Sequence, residues 1–362
     1  MEPTHIYYDL KAVHQNTDHT QQSLTFKETR TVPYLMTPQQ YFLSIVRFNI
    51  SSQLPVFIPR IETGPAQTDP NKTIYTMYIN LAPKTVKINF QWISPSLVSP
   101  PASQNGFYTT QDINNEYYKC FNYKYFLNLM NKQISDALGL LPLAGVTAVW
   151  FEMDDNSYKF KLNYIVSAST VVPRFFMNVP LKNLFSAFSF QEVSAVPNSV
   201  IQPSPIYELL IQYVAGPGAT SITAVADFPT LSSWNPTSSI VFTTSLMPIE
   251  QSAVSKSKVY GQNTTFASPT SSNVTSSTVT DFTVNVGPNN FYVPEIDYLP
   301  AGEYRLIDMV GNSPIYATDI KVEWMDKYGN LYPFYLPSGG WADIKIMFRQ
   351  KRFNITSQTA II

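Results

Sequence analysis

Toward the end of the chain, apolar and polar residues alternate with a period of two. In Asp319–Met325, Ile320, Val322 and Trp324 fall on one face while Lys321 and Glu323 fall on the other. In Ala342–Arg349, Ile344, Ile346 and Phe348 oppose Lys345 and Arg349. That period marks a half-buried β-strand. Leu331–Leu336 lies between these two runs, and Asp326-Lys-Tyr-Gly329-Asn330 supplies residues that tolerate the positive φ of a hairpin turn. The block predicts a three-stranded antiparallel meander.

Upstream the pattern is less even. Strands are expected over Leu24–Arg30 and Tyr41–Ser51; in the latter, Phe42, Val46, Phe48 and Ile50 alternate with Leu43, Ile45 and Arg47, which predicts a strand covered on both faces. Leu54–Ile61 is broken by prolines and reads as an edge. Thr73–Leu81 follows, and then Val86, Ile88, Phe90 and Trp92 alternate with Lys87, Asn89 and Gln91. After a Pro/Ser/Asn-rich loop from Pro95 to Gly106, apolar residues spaced three to five apart predict one helix over Asn115–Leu138, capped by Gly139. A hairpin is expected from Val146–Met153 and Tyr158–Ser167, closed by Asp154-Asp-Asn-Ser157. A short helix over Leu181–Phe190 and strands at Ile206–Tyr213 and Val241–Pro248 follow, and Ser252–Thr278 reads as a long exposed loop.

Regularly spaced short strands with turn signals between them point to an all-β chain. The strands before Ser94 and after Val279 are each too few to close a core, so a jelly-roll sandwich formed by the N- and C-terminal segments, with a large central insertion containing one helix, is the expected fold. The boundaries this implies are an arm at 1–22, jelly roll at 23–94 and 279–352, insertion at 95–278 and a tail at 353–362. The arm is polar, without periodicity, and holds His5, His14 and His19. It is expected to be flexible in the isolated chain, so that removing residues 2–22 leaves the fold unchanged.

Composition narrows the function. Charged residues are 14% of the chain and aromatics 14%, with a net charge of −1. A surface so weakly charged does little to hold copies apart, which suits a subunit packed against neighbours. The charge balance argues against a specific nucleic-acid partner. Lys345, Arg349, Lys351 and Arg352 form one local basic spot, read as a solvated edge. A single cysteine, Cys120, excludes an internal disulfide, and its place beside Phe121 predicts a small buried hydrophobe. No secretory leader or membrane span is recognisable, and glycosylation is not expected at Asn49, Asn71, Asn263, Asn273 or Asn354.

Candidate chemistry is thin. Three histidines on a flexible arm offer neither a nucleophile's base nor a metal site. Glu152, Asp154 and Asp155 lack the glycine and terminal glutamate of a calcium loop and read as turn chemistry. The aromatic and lysine-rich run Tyr117–Phe126 resembles a base-stacking platform, but on a helix such rings belong to the core. No catalytic residue, cofactor or metal site is expected.

Asp319-Ile-Lys-Val-Glu-Trp-Met-Asp-Lys-Tyr-Gly-Asn-Leu-Tyr-Pro-Phe334, then Ser338-Gly-Gly and Ile344-Lys-Ile-Met-Phe-Arg-Gln-Lys351, resemble the closing strands of penton or minor capsid proteins of the virophage, Polinton and adintovirus lineage. Lys27-Glu-Thr-Arg30, Tyr41-Phe-Leu-Ser-Ile-Val-Arg-Phe-Asn49 and Phe242-Thr-Thr-Ser-Leu-Met-Pro-Ile249 sit in compatible places. The resemblance implies a virion protein with a single jelly roll. It further implies a homopentamer at the icosahedral fivefold vertex, contact with a neighbouring major capsid protein, and an insertion facing outward toward a host receptor. A trimeric double jelly-roll major capsid protein and a carbohydrate- or receptor-binding sandwich such as a fibre head remain the alternatives.

Overall fold

The computed structural model describes residues 4–15, 22–50, 56–60, 75–90, 116–120, 123–168, 171–199, 205–211, 220–230, 234, 237–250, 252–254, 274–283, 296–299, 305–326, 331–336 and 338–351. Two antiparallel sheets face each other in the jelly roll. In the first, His5–Val13 pairs with Trp341–Gln350, which pairs with Tyr41–Ile50; Ile296–Tyr298 and Ile307–Asp308 line the far side of that last strand. In the second, Thr278–Phe282 pairs with Thr237–Thr243, which pairs with Ala317–Asp326; Thr25–Thr29 and Leu331–Pro333 share its far side. Inward residues of both sheets form one core, in which Phe48 of the first sheet meets Phe242 and Phe26 of the second edge-on at 5.0 and 6.4 Å.

The alternation read from the C-terminal block is borne out. Ile320, Val322, Trp324, Ile344, Ile346 and Phe348 are all fully buried. The meander is not. Ala317–Asp326 and Leu331–Pro333 do form a hairpin, but Trp341–Gln350 crosses to the opposite sheet, between His5–Val13 and Tyr41–Ile50. Period-two spacing shows that a strand has an inner face and leaves open which sheet receives it.

Tyr41–Ile50 corrects a second expectation. Its ladder with Trp341–Gln350 slips between Lys345 and Ile346, which pair with Arg47 and Ile45 and leave Val46 as the extra residue of a β-bulge. The bulge shifts the alternation by one, so Leu43 and Ile45 before it and Phe48 and Ile50 after it face the same core. What reads as two apolar faces is one face with a register shift.

The expected flexible arm is likewise corrected. His5–Val13 is a strand in register with Trp341–Gln350 along its whole length, and Leu10 is buried in the jelly-roll core. Its alternation is muted because it is an edge strand with little apolar area to present. His14 continues past it into a buried position. His19 lies outside the described residues.

A second core lies in the chain between Ile50 and Thr237. It draws on Tyr75, Val86, Ile88, Phe90, the helix, and residues as far as Trp234. The insertion therefore begins before residue 75 and ends before 237, not at 95 and 278. Thr76–Leu81, expected in the jelly roll, pairs instead with Lys84–Asn89 and with Arg174–Asn178. Among the described residues the two larger sheets of this domain are one of Val146–Met153, Phe160–Val166 and Thr220–Val225 and another of Thr76–Leu81, Lys84–Asn89, Arg174–Asn178, Phe190–Val193 and Ile206–Leu209.

The helix spans Tyr123–Leu140, so Gly139 lies inside it, and the segment expected to open it, Glu116–Cys120, is a strand paired with Val56–Arg60. Cys120 is thus on a strand and not on the helix. A second helix, Val179–Leu184, starts where Asn178 caps it by accepting the Leu181 N–H. The Ser252–Thr278 stretch is closed at its base by a ladder of Ser252–Val254 with Val274–Ser276. The hairpin expected at residues 146–167 forms as read.

Candidate assembly surfaces

The carboxylates that drew attention as a possible site go separate ways. Asp154 opens the hairpin turn, its Oδ1 accepting the N–H groups of Asn156 and Ser157 while Lys161 Nζ donates to Oδ2 at 2.7 Å. The Lys161 hydrogen bond, followed by those from Ser157 and Asn156, holds this carboxyl well below the usual range. Asp155 pairs with Lys124 at 2.6 Å, and Glu152 accepts from Asn163. This is turn and cross-strand chemistry, as read from the sequence. His5 is exposed on its strand, whereas His14 Nδ1 lies 2.9 Å from the Leu336 carbonyl, so these two histidines do not converge. Among the described residues no group of three or more His, Cys, Asp and Glu side chains could hold a metal ion. No helix there is long and apolar enough to cross a membrane.

Of the aromatic run at 117–126, Phe126 is buried edge-on against Tyr75 and Trp234, and Lys124 is committed to Asp155. Lys345 and Lys351 of the basic spot are likewise paired. On the outer face of the first sheet, Asp9 accepts from Arg47 and Lys345, and Arg47 also reaches Asp343 at 3.0 Å, tying three adjacent strands together. Lys351 pairs with Asp308 at 2.5 Å and lies over the Phe42 ring. Such partly exposed pairs contribute about 0–1 kcal/mol each. They leave this face nearly neutral, a surface without a charge block toward neighbours.

Sequence reading missed the strongest polar feature. Asp319, buried at the start of its strand, accepts from the Thr244 and Ser245 hydroxyls and from the N–H groups of Ser245 and Leu246. Burial would push this carboxyl up, but the hydrogen bonds from Ser245 and Thr244 and from the two amides outweigh it and hold it below the usual carboxylate value. The cradle staples the turn after Thr237–Thr243 to the neighbouring strand. A signal was present: Thr244-Ser245 directly after a strand offers two hydroxyl donors, and both halves of the cradle lie in segments that carried the family resemblance.

In the inserted domain, Asn131 on the helix donates to the Phe151 carbonyl and accepts its N–H, both at 2.7 Å. Val146–Met153 is the edge of its sheet, so this side chain occupies backbone groups that would otherwise invite another strand. Thr230 and Trp234 both donate to the Leu184 carbonyl, and Trp234 stacks on Phe160 at 4.9 Å. These contacts fasten the last turn of the insertion to its core.

A single jelly roll that receives a second domain from one end, with the described polar side chains named above held in staples and ion pairs, suits a structural shell protein. The family model for the Sputnik minor capsid protein V18/19 matches residues 6–350, and the chain belongs to that family. Among individual proteins it is 34% identical to V18 of Sputnik virophage over 140 residues, which are 38% of this chain and 83% of V18. It is 30% identical to the structural protein V19 of the same virophage over 129 residues, or 34% of this chain and about half of V19, at 54%. In three dimensions it matches a chain of the Sputnik virophage solved by cryo-EM with a TM-score of 0.73 and 25% identity, covering 97% of this chain and 99% of that one. The mavirus penton protein matches in fold, with a TM-score of 0.65 and 13% identity over 96% of this chain and 100% of that one. The chain is a structural minor capsid protein, and its place is the virion, in assembly with other capsid proteins.

Proposed function

We propose that copies of this chain form a homopentamer at the icosahedral fivefold vertex. The observation that carries this is the full-length fold likeness to a penton protein, jelly roll and insertion together. In this reading the jelly roll sits in the shell beside the major capsid protein, the inserted domain faces outward toward a host receptor, and the chain's work is structural rather than catalytic. The nearly neutral outer face of the first sheet, where Asp9, Arg47, Asp343 and Lys345 cancel one another, suits close packing of identical copies.

Native mass spectrometry of the purified chain is expected to give five times the 40.9 kDa monomer mass. A trimer would overturn the proposal in favour of a double jelly roll or a fibre head, and a persistent monomer with glycan affinity would point to a lectin-like role.

A further inference from the structure

The insertion joins the jelly roll at one end, after Ile50 and before Thr237. The opposite end is built from three loops, residues 30–40, 244–250 and 309–316. Their backbones bond to one another: the Arg30 N–H donates to the Tyr316 carbonyl, Tyr34 to Ile315, Ile315 to Leu35, Gln39 to Gly311 and Val310 to Pro248. Asp319 takes the Leu246 N–H, and the Thr244 hydroxyl takes that of Met247. Donors satisfied inside the protein in this way lose little when water is removed from the loops.

The surface these loops present is apolar. Val32, Met36, Leu246, Val310 and Tyr316 are between 44% and 71% exposed, and residues 31–40, 244–249 and 309–316 hold no charged side chain. Isolated exposed apolar residues are ordinary, but five on three interlocked loops with no charge among them form a patch of the kind that meets a protein or a membrane. Beside it, Arg30 shares its charge with Glu28 at 3.4 Å and spreads over the rings of Tyr8 and Tyr34 at 5.0 and 5.2 Å.

Loops without cations have nothing to hold a polyanion, which excludes nucleic acid as the occupant. The five side chains stand on separate loops, and a fluid bilayer receives them without the shape complementarity that a folded partner must supply. Apolar side chains next to an amphipathic tyrosine and a balanced arginine also match the make-up of a surface that enters the headgroup region.

We propose that this end of the jelly roll docks on a phospholipid bilayer, with Val32, Met36, Leu246 and Val310 entering the acyl boundary and Tyr316 at headgroup level. With the insertion facing outward, as in the vertex reading above, the bilayer lies beneath the shell; which side it occupies rests on that reading, and the docking itself does not.

Flotation of the full chain with phosphatidylcholine vesicles tests this. The chain is expected to float equally at low and high salt, because no ion pair carries the contact. Val32→Asp with Met36→Asp, two exposed positions, should keep the melting temperature and lower the floated fraction about tenfold, whereas Leu140→Asp on the insertion, 82% exposed, should leave it unchanged. Independently of those variants, Val32→Trp should become quenched by vesicles with brominated acyl chains. A full chain that does not float, flotation that high salt abolishes or the double variant retains, or an unquenched Val32→Trp would each overturn the proposal. So would a double variant with a lowered oligomeric mass, because the cover would then be a neighbouring copy. Native mass spectrometry of the same samples keeps the two proposals apart: a monomer that floats sustains the docking and contradicts the vertex assignment, and a pentamer that fails to float does the reverse.

Discussion

Asp319 and Glu323 lie on one strand and one face, four residues apart, and their surroundings push their carboxyls in opposite directions. Asp319 meets four donors, and its pKa is lowered. Glu323 is buried with a single hydroxyl donor, Thr243 at 2.8 Å; burial raises its pKa, and neither that bond nor the charge of Lys321 reverses the shift. The two signs differ accordingly. Stability contributed by ionised Asp319 is complete above the ordinary carboxylate value of about 3.9 and is lost as pH falls through the lower folded value. Glu323 costs stability while ionised, and that cost is relieved as pH falls through its raised value. Asp319→Asn is therefore expected to lower stability at neutral pH by about 2 kcal/mol, the range for hydrogen bonds to a charged group, because it turns an acceptor into a donor facing amide N–H groups. Glu323→Gln should stabilise at pH 7 by on the order of 1 kcal/mol and lose that gain near pH 4. Denaturant melts of both variants at the two pH values check the pair, and parallel behaviour would sink the argument. Trp324, fully buried and stacked on Tyr332 at 4.3 Å, gives the apolar counterpart. Trp324→Ala should cost about 3–5 kcal/mol through the cavity it leaves. A midpoint shift worth less than ~1 kcal/mol would contradict the packing.

At the scale of elements, legibility in the sequence followed local periodicity and failed where partners are remote. The faces of Asp319–Met325 and Ala342–Arg349 were readable because Ile320, Val322, Trp324 and Ile344, Ile346, Phe348 each repeat every second residue. Their sheets were not, because the partners of Trp341–Gln350 begin at His5 and Tyr41, and no local signal encodes a contact across three hundred residues. The helix start was misplaced because Glu116–Cys120 has the same aromatic and lysine content as the helix after it, and only its ladder with Val56–Arg60 makes it a strand. Of the assembly surface, the neutral balance was legible in composition, while the Asp319 cradle depends on a contact between residues 244 and 319. The first strand is the most consequential correction. Removing residues 2–22 uncovers the edge of Trp341–Gln350, deletes buried Leu10 and strips Asp9 from Arg47 and Lys345. Such a chain is expected to melt well below the full chain. An unchanged Tm would mean the strand is dispensable in solution.

At the scale of the molecule, the two cores differ in how the chain supplies them. The jelly roll takes strands from residues 5–50 and from 237–350, so it cannot close until the whole chain is present. The insertion draws its core from residues 75–234 alone, including the Phe151–Phe185 stack and the Trp234 anchor. A contiguous core of that kind satisfies the condition for independent folding. Residues 51–236 expressed alone should therefore show one cooperative thermal transition with near-UV dichroism from buried Trp234. A fragment of residues 1–248 should show the same transition and no second one. Its additional strands, His5–Val13, Thr25–Thr29, Tyr41–Ile50 and Thr237–Thr243, would lack Ala317–Asp326 and Trp341–Gln350, which occupy the middle of their two sheets. Two transitions in the longer fragment would show that half a jelly roll can hold together without its central strands, and no transition in the shorter one would show that the inserted core depends on the sandwich beneath it.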